Sequence, residues 1–164
     1  ILNNSKAPSI PLAKELEALD LYIQMEQLRF TQQFDYELDV ATDVNTEHIH
    51  IPPMILQPFI ENAIWHGLMH KEDQGILRLS IKSLGAYLLC EIEDNGIGRK
   101  AAMERKEKAA KTRASVGMKN TQTRMDLTRQ LYQLEGSVEV IDLYGKEGLP
   151  EGTLVKLKIP KLNA

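Results

Sequence analysis

Cysteine is nearly absent: Cys90 is the only one in 164 residues. That excludes an internal disulfide framework and a multi-cysteine zinc site, is compatible with a reducing compartment, and leaves the lone thiol to be read as core. No excess of one charge is present either, since 20 Lys+Arg stand against 23 Asp+Glu for a formal net charge of −3. A general nucleic-acid binder would carry a basic surplus, so no nucleic-acid partner is expected. Aromatics make up 5% of the chain and do not interleave with its basic residues, which disfavours single-strand binding as well. No apolar run reaches the roughly 18–20 residues that span a bilayer, and Ile1 to Ser9 has neither region of a signal peptide. A Gly-x4-Gly-Lys-Ser/Thr phosphate loop is missing, and the one glycine-rich stretch lacks the third glycine of a protein-kinase loop.

What is there fits one soluble globular domain. At 43% hydrophobic and 26% charged residues the chain can bury a core, and no repeat or low-complexity linker divides it. It begins without Met and ends just after an apparent strand, which reads as a piece of something larger. From Leu12 to Phe30, Leu12, Leu16, Leu19 and Ile23 form one apolar row and Leu21, Met25 and Leu28 a second, predicting a helix with one wide buried stripe. Phe34 to Val40 opens a sheet, with Asp43 to His50 as its exit loop. Pro52-Pro53 introduces a helix from Met54 to Met69, where Leu56, Phe59, Ile60, Ala63, Ile64 and Gly67 share one face and Glu61, Asn62, Trp65 and His66 the other. Ile76 to Ser83 and Tyr87 to Glu93 alternate as a hairpin about Gly85-Ala86. Between Asp94 and Ser115 apolar periodicity disappears, which reads as a long mobile loop. A helix from Gly117 to Leu134 and strands Ser137 to Tyr144 and Thr153 to Pro160 complete an α+β order with helices on one sheet face.

Five stretches can carry chemistry, and each has a plainer reading beside it. In Glu93-Asp94-Asn95-Gly96-Ile97-Gly98, an Asp at a strand end accepts hydrogen bonds from an exocyclic amine such as that of adenine, and two glycines allow close backbone approach; Asp-Asn-Gly is also ordinary turn chemistry. Glu61, Asn62 and His66 offer hard oxygen ligands suited to Mg²⁺ completed by phosphates, or form the solvated face of a helix. The spacing of His48, His50, His66 and His70 does not make a zinc site. Val116-Gly117-Met118-Lys119-Asn120 opens a helix whose free amides suit phosphate. Gly152-Thr153 starts the last strand, where Thr is a common strand former. Arg99, Lys100, Arg105, Lys106, Lys108, Lys111 and Arg113 make the 94–115 stretch either a solvated charged loop or a phosphate-facing lid.

Taken in order, these stretches resemble the ATPase domain shared by sensor histidine kinases, gyrase, Hsp90 and MutL, and most closely the catalytic end of LytS/YehU-type sensor histidine kinases. Pro52-Pro53-Met54-Ile55-Leu56-Gln57-Pro58-Phe59-Ile60-Glu61-Asn62-Ala63-Ile64-Trp65-His66-Gly67 is very similar to the N box of that family. Asp94-Asn95-Gly96-Ile97-Gly98 resembles the first glycine box, Val116-Gly117-Met118-Lys119-Asn120 through Arg124 the second, and Gly152-Thr153 the terminal Gly-Thr motif.

The resemblance implies a two-layer α/β sandwich, the Bergerat ATPase fold of the GHKL group: a mixed, mainly antiparallel sheet covered by helices on one face, with a flexible ATP lid. Residues 1–31 would be the connecting helix from an absent dimerisation region and residues 32–164 the ATPase domain. ATP and Mg²⁺ would be the cofactors, with Asp94 on the adenine amine, Thr153 assisting through water, Asn62 on Mg²⁺ and Glu61 supporting the metal waters or the reacting group. Gly96 and Gly98 would approach the nucleotide, Gly117, Met118, Lys119 and Asn120 its phosphates, and His66 and Arg124 would be further contacts. The implied activity is protein-histidine kinase, with the accepting His in an upstream motif that this sequence lacks, so the fragment would bind Mg²⁺-ATP without completing its own phosphorylation. A response regulator, the His-bearing region, a homodimeric full-length protein and a cytoplasmic domain of an inner-membrane sensor follow from the same resemblance. Two departures stand out: Trp65 replaces the Lys usual three residues after the N-box Asn, and Ser115 replaces a Gly of the second glycine box. Alternatives are an ATPase of the gyrase, Hsp90 or MutL kind, against which Pro58 stands at the position of their water-activating Glu, and a non-catalytic nucleotide-regulated interaction domain.

Overall fold

The computed structural model describes residues 8–29, 34–110, 129 and 136–162. The elements are β1 (Ile10–Pro11), α1 (Leu12–Arg29), β2 (Phe34–Val40), β3 (His50–Ile51), α2 (Gln57–Asn62), β4 (Gly75–Leu84), β5 (Tyr87–Asp94), α3 (Arg99–Ala110), β6 (Ser137–Tyr144) and β7 (Pro150–Pro160). A five-stranded sheet has the order β2-β4-β5-β7-β6, and β1 pairs with β3 in a separate small ladder. The β2–β4 pair is parallel and the other three are antiparallel, giving the mixed, mainly antiparallel sheet that the sequence implied.

Alternation decides which face of that sheet is covered. Leu77, Leu79 and Ile81 of β4, Leu88, Cys90 and Ile92 of β5, and Val155, Leu157 and Ile159 of β7 are all buried in one cluster with Ile60, Ile64 and Leu68 from the α2 region. Cys90 is therefore core, as read. Residues of opposite parity face outward, where Arg78 reaches Glu37 at 2.8 Å and Glu93 at 3.1 Å. These pairs are exposed and contribute little. The covered face supplies most of the stability, through removal of apolar surface from water.

Three differences from the sequence reading have physical causes. Helix α1 buries Leu12, Leu19 and Ile23, but its second apolar row is exposed: Leu21 at 58%, Met25 at 63% and Leu28 at 88%. The stripe is narrower than predicted because only one row meets the core. Second, the helix after Pro53 is interrupted, running as α2, then a π turn at Ala63–Gly67 and a 3₁₀ turn at Leu68–His70. Its buried face is nevertheless the predicted one. Third, α3 occupies Arg99–Ala110, inside the stretch read as loop. Arg, Lys, Ala, Met and Glu are strong helix formers, and a helix that is polar all round leaves no apolar period to detect. The expected helix from Gly117 to Leu134, including Gly117, Met118, Lys119, Asn120 and Arg124, lies outside the described residues except for Arg129.

Truncation on the covered face should be costly and truncation of the outer α1 row should not. Leu79→Ala is expected to lose about 2–5 kcal/mol in urea unfolding, whereas Leu28→Ser should stay within about 0.5 kcal/mol.

Candidate functional site

Asp94 is the last residue of β5 and has the parity of Leu88, Cys90 and Ile92, so the strand ends by placing a carboxylate on the helix-covered face. It is 5% exposed. Burial disfavours its charged form and pushes its pKa up to about 7; the Gly96 N–H, donating to Oδ1 at 2.9 Å, and Lys71 pull against that shift while Glu93 reinforces it. Thr153 lies directly opposite Asp94 in the β5–β7 ladder. Their side chains therefore share a face.

Glycine is what lets the helix approach so closely. A Cβ on Gly67 would sit 2.6 Å from Asp94 Oδ1, one on Gly96 would collide with the Gly67 backbone, and one on Gly152 (φ +121°) with the Asp94 carbonyl. The Ile97 N–H donates to the Gly67 carbonyl at 3.2 Å, fastening the loop after β5 to the π turn. Asn95 faces the other way, accepting the Ile76 N–H at 2.7 Å, and so closes the turn onto β4.

A cavity of about 230 Å³ opens between this strand end and the helices. That is slightly below the ~300–1,000 Å³ usual for small-molecule pockets. Among the residues expected from sequence, it is lined by Asn62, His66, Asp94, Gly98 and Thr153. Asn62 and His66 are four apart and project from one side of the helix. Glu61 is not among the lining residues; its carboxylate accepts from Gln57 Nε2 at 3.1 Å. Gly96 stands behind the wall, against Gly67. Trp65 is turned to α1, its indole N–H donating to the Tyr22 hydroxyl at 3.3 Å.

The rest of the wall combines residues that the sequence reading did not single out for chemistry with Arg99 and Lys106 of the basic run, which it did. Phe59, Ala63, Val140 and Val155 give it an apolar side, and Ala102, Met103 and Lys106 of α3 form another. Arg99, also lining, is held by Asp142 of β6 through Nε at 2.7 Å and Nη2 at 2.8 Å. The basic run from Arg99 therefore divides, with Arg99 and Lys106 at the cavity, Lys100, Arg105 and Lys108 elsewhere on α3, and Lys111 and Arg113 outside the described residues. Among the described residues no group of three or more His, Cys, Asp or Glu could hold a metal, and no helix is long and apolar enough to cross a membrane.

No family model matches the chain. It is 36% identical over 97 residues to the sensor protein LytS of Bacillus subtilis (strain 168), covering 59% of this chain and 16% of that protein. It is 29% identical over 160 residues to LytS of Enterococcus faecalis (strain ATCC 700802 / V583), covering 97% of this chain and 26% of that protein. The chain thus spans about a quarter or less of the length of these curated relatives. The solved catalytic domain of the histidine kinase ThkA superposes with a TM-score of 0.58 at 13% identity, over 94% of this chain and 95% of that one. The chain is similar to LytS-type sensor histidine kinases and has the fold of a histidine kinase catalytic domain. The α+β sandwich expected from the sequence is the fold observed.

The perturbed Asp94 gives this chain a pH signature. Its folded-state pKa lies above the unfolded value near 3.8, so its contribution to stability is present below the unfolded value and is lost as the pH rises through about 7. The urea midpoint should fall more between about pH 5 and 8 in the wild type than in Asp94→Asn, which keeps the acceptor for Gly96. Gly67→Ala, which drives a methyl into the same carboxylate, should cost about 1–3 kcal/mol in urea unfolding.

Proposed function

We propose that this chain is the ATP-binding catalytic domain of a sensor histidine kinase, transferring the γ-phosphate of ATP to a histidine on a segment that the sequence does not contain. The observation that carries this reading is that Asn62, His66, Asp94, Gly98 and Thr153, from separate stretches of the chain, line one cavity. Asp94 would accept a hydrogen bond from the adenine amine, with Thr153 beside it, and the apolar wall of Phe59, Ala63, Val140 and Val155 would take the ring faces. Gly98, at φ +86°, allows backbone close to the nucleotide. Arg99 and Lys106 bring positive charge to the phosphate side from α3, where the helical position usual for a Lys holds Trp65 and faces away.

The donor set fits Mg²⁺. With no carboxylate cluster among the described residues, a hard cation would be held by the Asn62 amide oxygen, waters and the phosphates themselves, the usual arrangement for Mg²⁺ on a nucleotide. When bound, the ion would neutralise charge developing on the phosphoryl oxygens. In the transfer, an imidazole nitrogen of the acceptor attacks the γ-phosphorus in line, the P–N bond forms as the bond to the bridging oxygen breaks, and ADP leaves with that electron pair. The residues named here bind and orient the nucleotide; positioning is their main contribution. A response regulator aspartate would receive the phosphoryl group next, and the intact protein would be a homodimer with this domain on the cytoplasmic side of an inner membrane.

An ATPase of the gyrase, Hsp90 or MutL kind is disfavoured by Pro58, which sits in the first turn of α2 where those proteins carry a carboxylate. Titration with Mg²⁺ and a non-hydrolysable ATP analogue tests the reading. The wild type should bind at millimolar concentrations or below, and Asp94→Asn should bind at least about tenfold more weakly. With labelled ATP and a separately supplied His-bearing segment, label should move to that segment. A wild type that binds nothing at millimolar nucleotide leaves only the interaction-domain reading.

A further inference from the structure

The approach to α2 contains a backbone conformation that the local sequence does not favour. Met54 has φ +58°, in a region where non-glycine residues are uncommon, and its side chain is 59% exposed, so burial of that side chain does not compensate for the strain. Two residues later Leu56 caps α2 with no side-chain hydrogen bond to the helix amides. Helix α2 has six residues before it passes into the π turn, too few to hold their own geometry in water.

What holds this turn comes from α1. Glu15 is 3% exposed, and its two carboxylate oxygens accept the Met54 N–H at 2.9 Å and the Leu56 N–H at 3.2 Å. A buried carboxylate thus holds the N–H of the N-cap residue itself, as the acidic member of a capping box does from within its own helix, and lies near the positive end of α2. Beyond Asn62, α1 makes a second hold: the Trp65 indole donates to Tyr22, and the Arg29 guanidinium lies 5.6 Å from the Trp65 ring centroid.

We propose that Glu15 is a positioning residue for the nucleotide site: by fixing the strained turn at Met54 to Leu56 it sets where Asn62 and His66 stand over the cavity, with Tyr22 and Trp65 as the second hold. This rests on the nucleotide reading above. Its consequence is that a displacement of α1 along or about its axis is passed to the Asn62-bearing segment, while Asp94 and Thr153, which belong to the sheet, stay in place. The two sides of the cavity are adjusted separately.

The test uses the 164-residue chain and two variants. Glu15→Gln keeps one acceptor oxygen and turns an amide N–H₂ toward a backbone N–H; Tyr22→Phe removes only the hydroxyl that Trp65 reaches. Affinity is measured for adenosine, which engages the sheet side, and for an ATP analogue with and without Mg²⁺. Glu15→Gln should lower the Mg²⁺-dependent gain in affinity about tenfold with adenosine affinity changed by less than about twofold, and Tyr22→Phe should shift the same ratio about threefold. Equal losses for both ligands, as a general loss of folded protein would give, or no loss in either variant, overturn the proposal. A wild type that binds neither ligand overturns the nucleotide reading instead. Glu15 is then judged by amide hydrogen exchange in Glu15→Gln: exchange about tenfold faster across residues 54–67 with β4 and β5 unchanged supports it, and unchanged exchange across 54–67 overturns it.

Discussion

The interaction on which the rest depends is the burial of the Asp94 carboxylate at the end of an apolar strand row. A charge there is costly, and one backbone N–H at 2.9 Å does not replace the hydration it has lost. The carboxylate therefore keeps acceptor capacity that the protein does not fill, facing a cavity. A ligand with a neutral or weakly basic N–H₂ donor meets that need without adding a buried charge of its own. Glycine makes the arrangement narrow: Gly67 lies against the carboxylate, Gly96 against Gly67 and Gly152 against the Asp94 carbonyl, so these contacts cannot relax by rotamer change.

Facing it, the helical wall is built on different terms. Asn62 and His66 stand on a segment that changes from α to π to 3₁₀ within fourteen residues, Gln57 to His70. Turns of this kind have poorer hydrogen-bond geometry than a regular helix and depend on their surroundings. Phe59, Ile60, Ala63, Ile64 and Leu68 supply one support by burial against the sheet. That support fixes height above the strands well and rotation or sliding less well, because apolar contact is not directional. Hydrogen bonds from α1 supply the directional part.

How much of this could be read from the chain depends on whether the signal is local. Strands β4 and β5 were legible to within one residue at each end because period-two alternation is repeated several times in each. The faces of the Asn62 helix were legible too, since a change of helical pitch over one turn rotates side chains too little to exchange buried and exposed rows. The pairing of Asp94 with Thr153 was not readable from composition or periodicity, because it is a matter of register between strands far apart in sequence; only the resemblance of both motifs to one family joined them. Gly67 looked like one more small residue on a buried face, and its close fit against Asp94 is a tertiary fact. The Glu15 contact was invisible for the same reason: an acidic residue near the start of a helix suggests capping of its own helix, not of one about forty residues away. The exposed row of Leu21, Met25 and Leu28 is apolar like the buried one, and nothing local separates them.

Helix α3 closes one side of the cavity without burying any described side chain. Its first residue, Arg99, is anchored by a partly exposed bidentate pair with Asp142, which fixes the start of the helix. An element with few buried contacts lies at the low-stability end of a protein. The sheet side of the cavity is therefore fixed by packing and the Asn62 side by packing together with the hydrogen bonds from α1, while the wall made by Ala102, Met103 and Lys106 has no buried side chain behind it. Such a division places the positive charge of Arg99 and Lys106 on the one wall that contributes least to the core.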